Sequence, residues 1–92
     1  MVSEHYYLWV KTKCPFCIKA KNELLTRIKS FTLYAMDDKP EELEEVKKSW
    51  NHTTVPLITV MENNVETFIG GCDDLMKWFE TKQKQEEEKT SD

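Results

Sequence analysis

The sequence has no apolar run that approaches the length of a membrane-spanning helix, and its first residues, Met1–His5, contain no apolar signal segment. It also has no internal repeat. These absences predict a protein that has no membrane partner. They also lead us to expect a reducing, intracellular compartment, namely the cytoplasm.

Positive charge is in deficit over the whole chain, because 13 Lys and Arg residues face 17 Asp and Glu residues and the net charge is −4. This acidic balance gives no support for nucleic-acid binding. The 92 residues are enough for one domain with a modest core. With 39% apolar and 33% charged residues, the composition is typical of a globular protein with a well-solvated surface.

Cysteine occurs only three times, which is an odd number, and two of the three lie close together as Cys14 and Cys17. This usage argues against a secreted fold stapled by disulfides. The two cysteines are one helical turn apart, directly after the apolar run Tyr6–Val10 and at the start of a predicted helix. That arrangement predicts a reactive dithiol.

The residues around Cys14 favour its ionisation. Pro15 suits the first position of a helix, and helical periodicity continues to Ile28, so Cys14 lies at a helix N-terminus. Unpaired N–H groups and the helix dipole favour an anion there. From Lys11 to Lys21 there are also four lysines and no acidic residue. We therefore predict that Cys14 is the nucleophile and that Cys17, further into the helix, is the less ionised partner.

The patterning predicts seven elements in the order β-α-β-α-β-β-α. The last two strands form an antiparallel hairpin through Glu62–Asn64. The predicted strands cover residues 6–10, 31–35, 57–60 and 65–69. The strand-helix-strand unit at the start implies a right-handed parallel crossover.

Two further helices are predicted from their start signals. Pro40 begins one helix, with Asp37 or Asp38 as its cap, and Asp73 or Asp74 caps the other. The folded domain is predicted to cover residues 1–82. Residues 83–92 are expected to form a charged, disordered tail.

Three stretches, in this order and at these separations, resemble a glutaredoxin of the small dithiol type. They are Cys14-Pro15-Phe16-Cys17, Thr54-Val55-Pro56 and Gly70-Gly71-Cys72-Asp73-Asp74. The resemblance spans residues 6 to about 82, and Phe16 stands where the family usually has tyrosine. It implies a thioredoxin-like α/β fold: a four-stranded mixed sheet of order 2-1-3-4 with three helices on both faces.

The resemblance also implies an activity, namely glutathione-dependent reduction of protein disulfides and glutathione mixed disulfides through Cys14 and Cys17. Glutathione is the reducing co-substrate, and no metal is expected. The implied partners are disulfide-bonded or glutathionylated proteins, including ribonucleotide reductase. The implied protein is a monomer.

Further site residues come from the same resemblance. Val55 would pair its backbone with the cysteine of glutathione, beside a cis Pro56 that faces the dithiol. The backbone of Cys72 and Asp73 would hold the γ-glutamyl carboxylate, with Asp74 on the ammonium group. The complete set of implied glutathione-binding residues is Lys11, Phe16, Thr54, Val55, Pro56, Gly71, Cys72, Asp73 and Asp74.

Lys11 would contact the carboxylate at the glycine end of glutathione, although an ordinary surface lysine is the plainer interpretation. In the same way, Gly70–Asp74 has a plainer interpretation as a glycine turn before a capped helix. Cys72 is interpreted as mainly structural, and His52 as a solvated loop residue.

Three other functions remain open at this point. Cys14 and Cys17 are compatible with half of a zinc site completed by Cys72 and by His52 or His5. A thioredoxin-like electron donor charged by a flavin reductase is a second alternative. It is kept open by Asp73, since serine or threonine is common there in glutaredoxins. The third is an iron–sulfur carrier in which Cys14 and glutathione ligate a cluster shared by two protomers.

Overall fold

The computed structural model describes the backbone of residues 4–90 and the side chains of residues 4–82. The order of elements is the predicted one. The strands are β1 (Glu4–Val10), β2 (Ser30–Ala35), β3 (Leu57–Glu62) and β4 (Val65–Gly70), and the helices are α1 (Pro15–Thr26), α2 (Pro40–Ser49) and α3 (Cys72–Thr90). Among the described residues, no helix combines the length and the apolar character needed to cross a membrane.

The four strands form one mixed sheet in the order β2-β1-β3-β4, as the resemblance implies. β1 is parallel to β2 and antiparallel to β3, and β3 is antiparallel to β4. Trp9 pairs with Leu57, and Ile58 pairs with Gly70. The end of β1, the start of β3 and the end of β4 therefore lie at one edge of the sheet, where the three resemblance stretches meet.

The main core lies between one face of the sheet and the helices α1 and α3. Alternate residues of β1 are buried against it, as expected from the two-residue period of a strand. The cluster contains Tyr6, Leu8, Val10, Cys17, Ala20, Leu24, Ile58, Val60, Cys72, Leu75 and Phe79. Full burial of one such large apolar side chain contributes about 1.5–3 kcal/mol.

The other face of the sheet is covered near α2. Thr59, buried at 0% exposure, lies on this face and pairs with Phe68 across β3 and β4. Trp50 directly follows α2, and its ring stacks on Phe68 with centroids 5.6 Å apart. Helices thus pack on both faces, as predicted.

The hairpin between β3 and β4 turns at Asn63 and Asn64, which have φ angles of 51° and 66°. Asparagine tolerates this left-handed region better than most residues, and two such residues match the twist of a two-residue hairpin. The predicted position of the turn is confirmed.

Helix α1 ends at Thr26, two residues before the predicted end at Ile28. Ile28 adopts a positive φ of 56°, and the N–H of Lys29 donates to the carbonyl of Leu24 at 2.9 Å. This is how a helix usually ends with a left-handed residue, but glycine normally occupies that place. The isoleucine gave no sequence signal for the end of the helix.

Both predicted aspartate caps are wrong. Lys39 precedes α2 at the cap position and makes no side-chain cap hydrogen bond, although Pro40 does begin the helix. Asp37 instead accepts hydrogen bonds from the N–H and the hydroxyl of Thr12, at 3.2 and 3.1 Å. An aspartate carboxylate near a helix start can accept hydrogen bonds either from the first helical N–H groups or from a distant loop. Here Asp37 accepts them from the loop that contains Thr12.

At the second predicted cap, α3 begins at Cys72, so Asp73 and Asp74 lie inside its first turn. The N–H of Leu75 donates to the carbonyl of Gly71 at 3.0 Å, which makes Gly71 the residue that precedes the helix. Asp74 accepts the N–H of Gly71 at 3.1 Å. This is the reverse half of a capping box, in which the third helical residue reaches back to the cap.

The predicted tail falls largely on residues whose side chains lie outside the described part. The helix α3 continues through Thr90, and residues 91–92 are not described. The domain end at residue 82 and the disorder of residues 83–92 stay predictions.

Candidate active site

The three resemblance stretches enclose one open groove at the shared edge of the sheet. Its volume is about 370 Å³, which lies in the range of small-molecule sites. We call it the main groove. It is lined by Phe16, His52, Thr54, Val55, Pro56, Gly71, Cys72, Asp73 and Asp74. Apart from Lys11, every residue that the resemblance assigns to glutathione binding lies on this groove.

Cys14 lies at the N-terminus of α1, as predicted. Its backbone is extended with φ −114°, Pro15 follows in the first turn, and its sulfur accepts the N–H of Cys17 at 3.2 Å. The thiol thus serves as the cap of the helix, a role usually taken by a hydroxyl or a carboxylate. Because the helix presents N–H groups and a positive dipole end at this place, negative charge on Cys14 sulfur is favoured.

Cys17 has a different environment, although it is only one turn away. Its side chain is 3% exposed. Burial, and next the hydrogen bond and the charge of Cys14, raise the pKa of the Cys17 thiol to about 12. Both cysteines are free thiols. Burial of this thiol favours its protonated form, and the relative ionisation of the two cysteines stays a prediction.

The backbone before Pro56 faces Cys14. The Val55–Pro56 peptide bond is cis, as the resemblance implies. The Cys14 sulfur lies 4.0 Å from the carbonyl oxygen of Val55. A carbonyl at that position can pair with a backbone N–H of a bound peptide.

His52 is the groove residue that the sequence analysis missed. The predicted solvated loop histidine is in fact half-buried, and its Nε2 lies 3.2 Å from the hydroxyl of Thr54. Its ring also packs edge-on against Phe68, with centroids 5.4 Å apart. Its place two residues before Thr54, in the polar stretch that leads to Pro56, was the available signal.

The glycine-containing stretch closes the other side of the main groove. Gly70 ends β4 with a φ of 122°, a region that side chains rarely adopt. A Cβ atom on Gly70 would overlap the carboxyl group of Asp74, whose Cγ would lie 2.8 Å away. The turn therefore needs glycine both for its backbone angle and for the space that Asp74 occupies.

Cys72 follows this turn and belongs mainly to the core. Its side chain is 4% exposed, and burial raises the pKa of its thiol. Its neighbours Asp73 and Asp74 are exposed at the start of α3. The first N–H groups of a helix have no partner within the helix, so this edge of the main groove combines free donors with two carboxylates.

Lys11 lies away from these residues, on a smaller cavity of about 170 Å³. We call this cavity the second groove. It is lined by residues that include Val10, Lys11, Cys17, Ile18, Lys21 and Leu33. Cys17 lines the second groove while Phe16, its neighbour in the chain, lines the main one, so the dithiol turn separates the two.

No three His, Cys, Asp or Glu side chains come together as a possible metal site in the described part of the chain. His5, one candidate for the zinc alternative, is hydrogen-bonded to the hydroxyls of Ser30 and Thr32, both at 2.7 Å. His52 is engaged by Thr54 and Phe68. The zinc alternative therefore gains no support from the arrangement of these residues.

Comparison with known sequences finds one matching family. The family model described as glutaredoxin matches residues 6–65. A glutaredoxin from Pseudomonas aeruginosa is 44% identical over 62 residues, which are 67% of this chain and 69% of the relative. Glutaredoxin 3 from Escherichia coli K12 is 37% identical over 68 residues, which are 74% of this chain and 77% of the relative.

Solved structures that resemble this chain are also glutaredoxins. A dithiolic glutaredoxin from Trypanosoma brucei brucei matches with a TM-score of 0.64 and 28% identity, covering 83% of this chain and 77% of that one. A glutaredoxin from Brucella melitensis matches with a TM-score of 0.61 and 25% identity, covering 88% and 82%. The family model covers Cys14, Cys17 and the Thr54–Pro56 stretch, whereas Gly70–Asp74 lies beyond it.

Proposed function

The chain belongs to the glutaredoxin family of thiol–disulfide oxidoreductases, and from this premise we propose that it reduces protein disulfides and glutathione mixed disulfides with glutathione as the reductant. One observation carries the proposal. The Cys14 sulfur accepts the N–H of Cys17 at a helix N-terminus and lies 4.0 Å from the carbonyl of Val55, beside the main groove. A nucleophilic sulfur and a backbone acceptor for a peptide are thus adjacent.

The first step is attack by the Cys14 thiolate on one sulfur of the substrate disulfide. A new S–S bond forms to Cys14, the substrate S–S bond breaks, and the departing thiolate takes up a proton. Cys14 is then held in a mixed disulfide. With a glutathionylated substrate, the group transferred to Cys14 is glutathione itself.

Two routes then release Cys14. In one, a second glutathione attacks the glutathione sulfur and expels the Cys14 thiolate, which the helix N-terminus stabilises. In the other, Cys17 attacks Cys14, the substrate leaves as a thiol, and two glutathiones later reduce the Cys14–Cys17 disulfide. In the first route the glutathione mixed disulfide and one glutathione thiol give one protein thiol and glutathione disulfide. In the second, a protein disulfide and two glutathione thiols give two protein thiols and glutathione disulfide.

The raised pKa of Cys17, about 12, supports this division of labour. A buried thiol that keeps its proton does not compete with Cys14 for the substrate, since the thiolate is the attacking form. It loses the proton to the departing thiolate only when a mixed disulfide lies against it. Cys17 is thus used only after Cys14 has reacted.

Glutathione is proposed to lie along the main groove, with its cysteine paired to the backbone of Val55. Its γ-glutamyl carboxylate would face the free N–H groups at the start of α3, beside Cys72 and Asp73, and its ammonium group would face Asp74. The glycine-end carboxylate would reach Lys11, whose side chain is exposed beside the dithiol turn. Phe16, Thr54, Pro56 and Gly71 complete the walls.

The proposed setting follows from the chemistry. A dithiol that must be reduced for each turnover needs a reducing compartment, so we expect the protein to work in the cytoplasm. Its substrates would be oxidised or glutathionylated proteins, with ribonucleotide reductase among the candidates. We expect it to act as a monomer, since all the residues invoked come from one chain.

The experiment is a coupled assay with glutathione, glutathione reductase and either a small glutathione mixed disulfide or an oxidised protein. Cys14→Ser should lose both activities, because no other described residue replaces its thiolate. Cys17→Ser should keep the first activity and lose most of the second. An intact chain that is inert with glutathione but reduced by thioredoxin reductase would contradict the proposal and favour the thioredoxin-like donor.

A further inference from the structure

The second groove meets the function proposed above only at Lys11 and Cys17, and the rest of its lining has no role there. It lies on the other side of the dithiol turn from the main groove and is lined by Val10, Cys17, Ile18 and Leu33, with Lys11 and Lys21 beside them. Ile18 is 51% exposed and Leu33 is 38% exposed, which is unusual for two apolar side chains that face one cavity.

We propose that the second groove holds the polypeptide segment that follows the reacting cysteine of a protein substrate, and that it prefers one apolar side chain accompanied by acidic residues. The inference rests on the proposed function. It adds a specificity site for protein substrates that small glutathione disulfides do not reach.

The position of the second groove indicates that it receives the substrate residues on the C-terminal side of the reacting cysteine. Glutathione, as proposed above, runs from Asp74 past Val55 and ends with its glycine carboxylate at Lys11. A protein segment bound in the same direction has no terminal carboxylate at Lys11, so its chain continues. Lys11 borders the second groove, and the continuing chain enters it.

The size of the groove suits one apolar side chain. Its volume is about 170 Å³. For comparison, an apolar cavity of about 150 Å³ takes up a benzene molecule. A leucine-sized side chain placed between Ile18 and Leu33 would cover apolar surface that is otherwise in contact with water.

The positive charge around the groove favours acidic residues next to that apolar side chain in the substrate. Lys11 and Lys21 line the groove, and Lys13 and Lys19 belong to the same stretch of the sequence, which has no acidic residue. Within the part of the chain that the structure describes, none of the four has a carboxylate within 4.0 Å. The nearby Asp37 carboxylate accepts the N–H and the hydroxyl of Thr12 and forms no ion pair with these lysines in the described part of the chain. Acidic residues of a substrate would find these lysines available.

The test compares two disulfide-cyclised peptides as substrates in the glutathione-coupled assay. In the first, the C-terminal cysteine is followed by one leucine and two acidic residues. In the second, serine and two lysines take those places. The intact chain should show a lower KM for the first peptide with a similar kcat, because the groove contributes binding rather than chemistry.

Two variants locate the effect. Ile18→Ser should raise the KM for the acidic peptide roughly tenfold by removing apolar contact. Lys21→Glu should raise it roughly fivefold by replacing attraction with repulsion between exposed charges. At 1 M salt, where the Debye length is about 3 Å, the Lys21→Glu effect should largely disappear and the Ile18→Ser effect should remain. Turnover of a small glutathione mixed disulfide should stay unchanged in Ile18→Ser.

Matched controls exist elsewhere on the surface. Val65→Ser removes an apolar side chain that is 62% exposed at the far end of the sheet, and Lys77→Glu reverses an exposed charge on α3. Neither should alter the KM for either peptide. Both variants at the groove and both controls change exposed residues, so loss of folding is not an expected complication.

Several outcomes would overturn the inference. One is an equal KM for the two peptides, or a KM that does not respond to Ile18→Ser, in a chain that still turns over the small mixed disulfide. Another is a dimer in sedimentation that Ile18→Ser dissolves, since the groove would then hold a second copy of the chain. An intact chain that is inert on the small mixed disulfide would instead contradict the proposed function.

Discussion

At the scale of single residues, the two cysteines of the dithiol differ because of where the helix begins. Cys14 lies before the first helical residue, partly exposed, and its sulfur accepts a helix N–H. Cys17 lies inside the first turn on the face that packs against the sheet, where burial raises the pKa of its thiol to about 12. A separation of three residues is thus enough to give two thiols different burial and different hydrogen-bond roles.

Asp37 is a second residue with a local effect on the dithiol. Its carboxylate accepts both the N–H and the hydroxyl of Thr12, in the turn that leads into Cys14. The two residues are 25 positions apart in the sequence. The pair ties the dithiol turn to the loop after β2, and we infer that it holds Cys14 in position.

We predict that Asp37→Ala lowers turnover of a glutathione mixed disulfide roughly three- to tenfold, because a small displacement of a nucleophile costs rate. The free energy of unfolding should fall by about 1 kcal/mol, since the lost hydrogen bonds are exposed. Urea unfolding and the coupled assay measure the two effects.

The matched control for this prediction is Asp38→Ala, at an exposed neighbour whose carboxylate has no hydrogen-bond partner among the described residues. It should leave both quantities nearly unchanged. If the two variants behave alike, the contact between Asp37 and Thr12 has no positioning role.

At the scale of elements, the start of α3 combines structure and proposed binding in the same atoms. Gly70 turns the chain out of β4, and Asp74 reaches back to the N–H of Gly71. The position of Asp74, and with it the negative charge on this edge of the main groove, thus depends on the absence of a side chain at Gly70.

We predict that Gly70→Ala lowers the free energy of unfolding by about 1–3 kcal/mol, because alanine is strained at a φ of 122°. It should also weaken glutathione binding, since the new Cβ displaces the Asp74 carboxyl group. Urea unfolding and the KM for glutathione report the two effects.

Gly71→Ala provides the comparison for stability. A Cβ at Gly71 would meet only the carbonyl oxygen of Pro56, at an ordinary contact distance of 3.7 Å. Its unfolding free energy should stay within about 1 kcal/mol of that of the intact chain. Equal destabilisation by the two substitutions would mean that the positive φ of Gly70 is not the cause.

The elements themselves were largely predictable from the sequence, and their ends were not. Alternating apolar residues and the Asn63–Asn64 turn identify the hairpin, because both signals are local. The helix caps were not predictable in this way. Asp37 has the residue type and position of a helix cap, but its partner Thr12 is distant in the sequence, and no local pattern reveals a contact of that kind.

The candidate site was predictable to a similar degree. The resemblance identified eight residues that line the main groove, because each lies in one of the three contiguous stretches on which the resemblance rests. It did not identify His52, whose place is set by Phe68 on a neighbouring strand. The second groove was also missed, since Ile18 and Leu33 meet only when α1 packs beside β2.

At the scale of the whole molecule, one network joins α3 to the sheet at the end opposite the dithiol. Lys82 contacts the carboxylates of Glu4 and Glu62, and Tyr6 donates to Glu4 at 2.6 Å. Trp78 in turn donates to the Tyr6 hydroxyl at 3.1 Å. This network fixes the long helix at a distance from the catalytic edge.

The network and the core thiols together make stability depend on pH. Burial raises the pKa of Glu4, but the hydrogen bond from Tyr6 and the charge of Lys82 outweigh it and lower the pKa overall. Its contribution is therefore present above the ordinary value of 4.5 and is lost as the pH falls. Burial raises the pKa of Tyr6, Cys17 and Cys72. The contribution of these three groups to the stability of the protein is therefore lost as the pH rises.

We predict a decline in the stability of the reduced protein above pH 9, with Cys17 as a main cause. Between the ordinary thiol value of 9.0 and about 12, the unfolded chain releases the Cys17 proton while the folded chain retains it. Each such group lowers the free energy of unfolding by about 1.4 kcal/mol per pH unit. Urea unfolding at pH 8, 9 and 10 measures the slope.

Cys17→Ala should make that slope shallower, whatever it does to stability at pH 8, because one of the groups that lose their protons only on unfolding is gone. Val60→Ala is the matched control: it removes buried apolar volume from a residue that does not titrate. It should lower stability by a similar amount at every pH and leave the slope unchanged. Parallel curves for the intact chain and Cys17→Ala would mean that the folded protein does not hold the Cys17 proton, and the proposed order of the two thiols in catalysis would lose its physical basis.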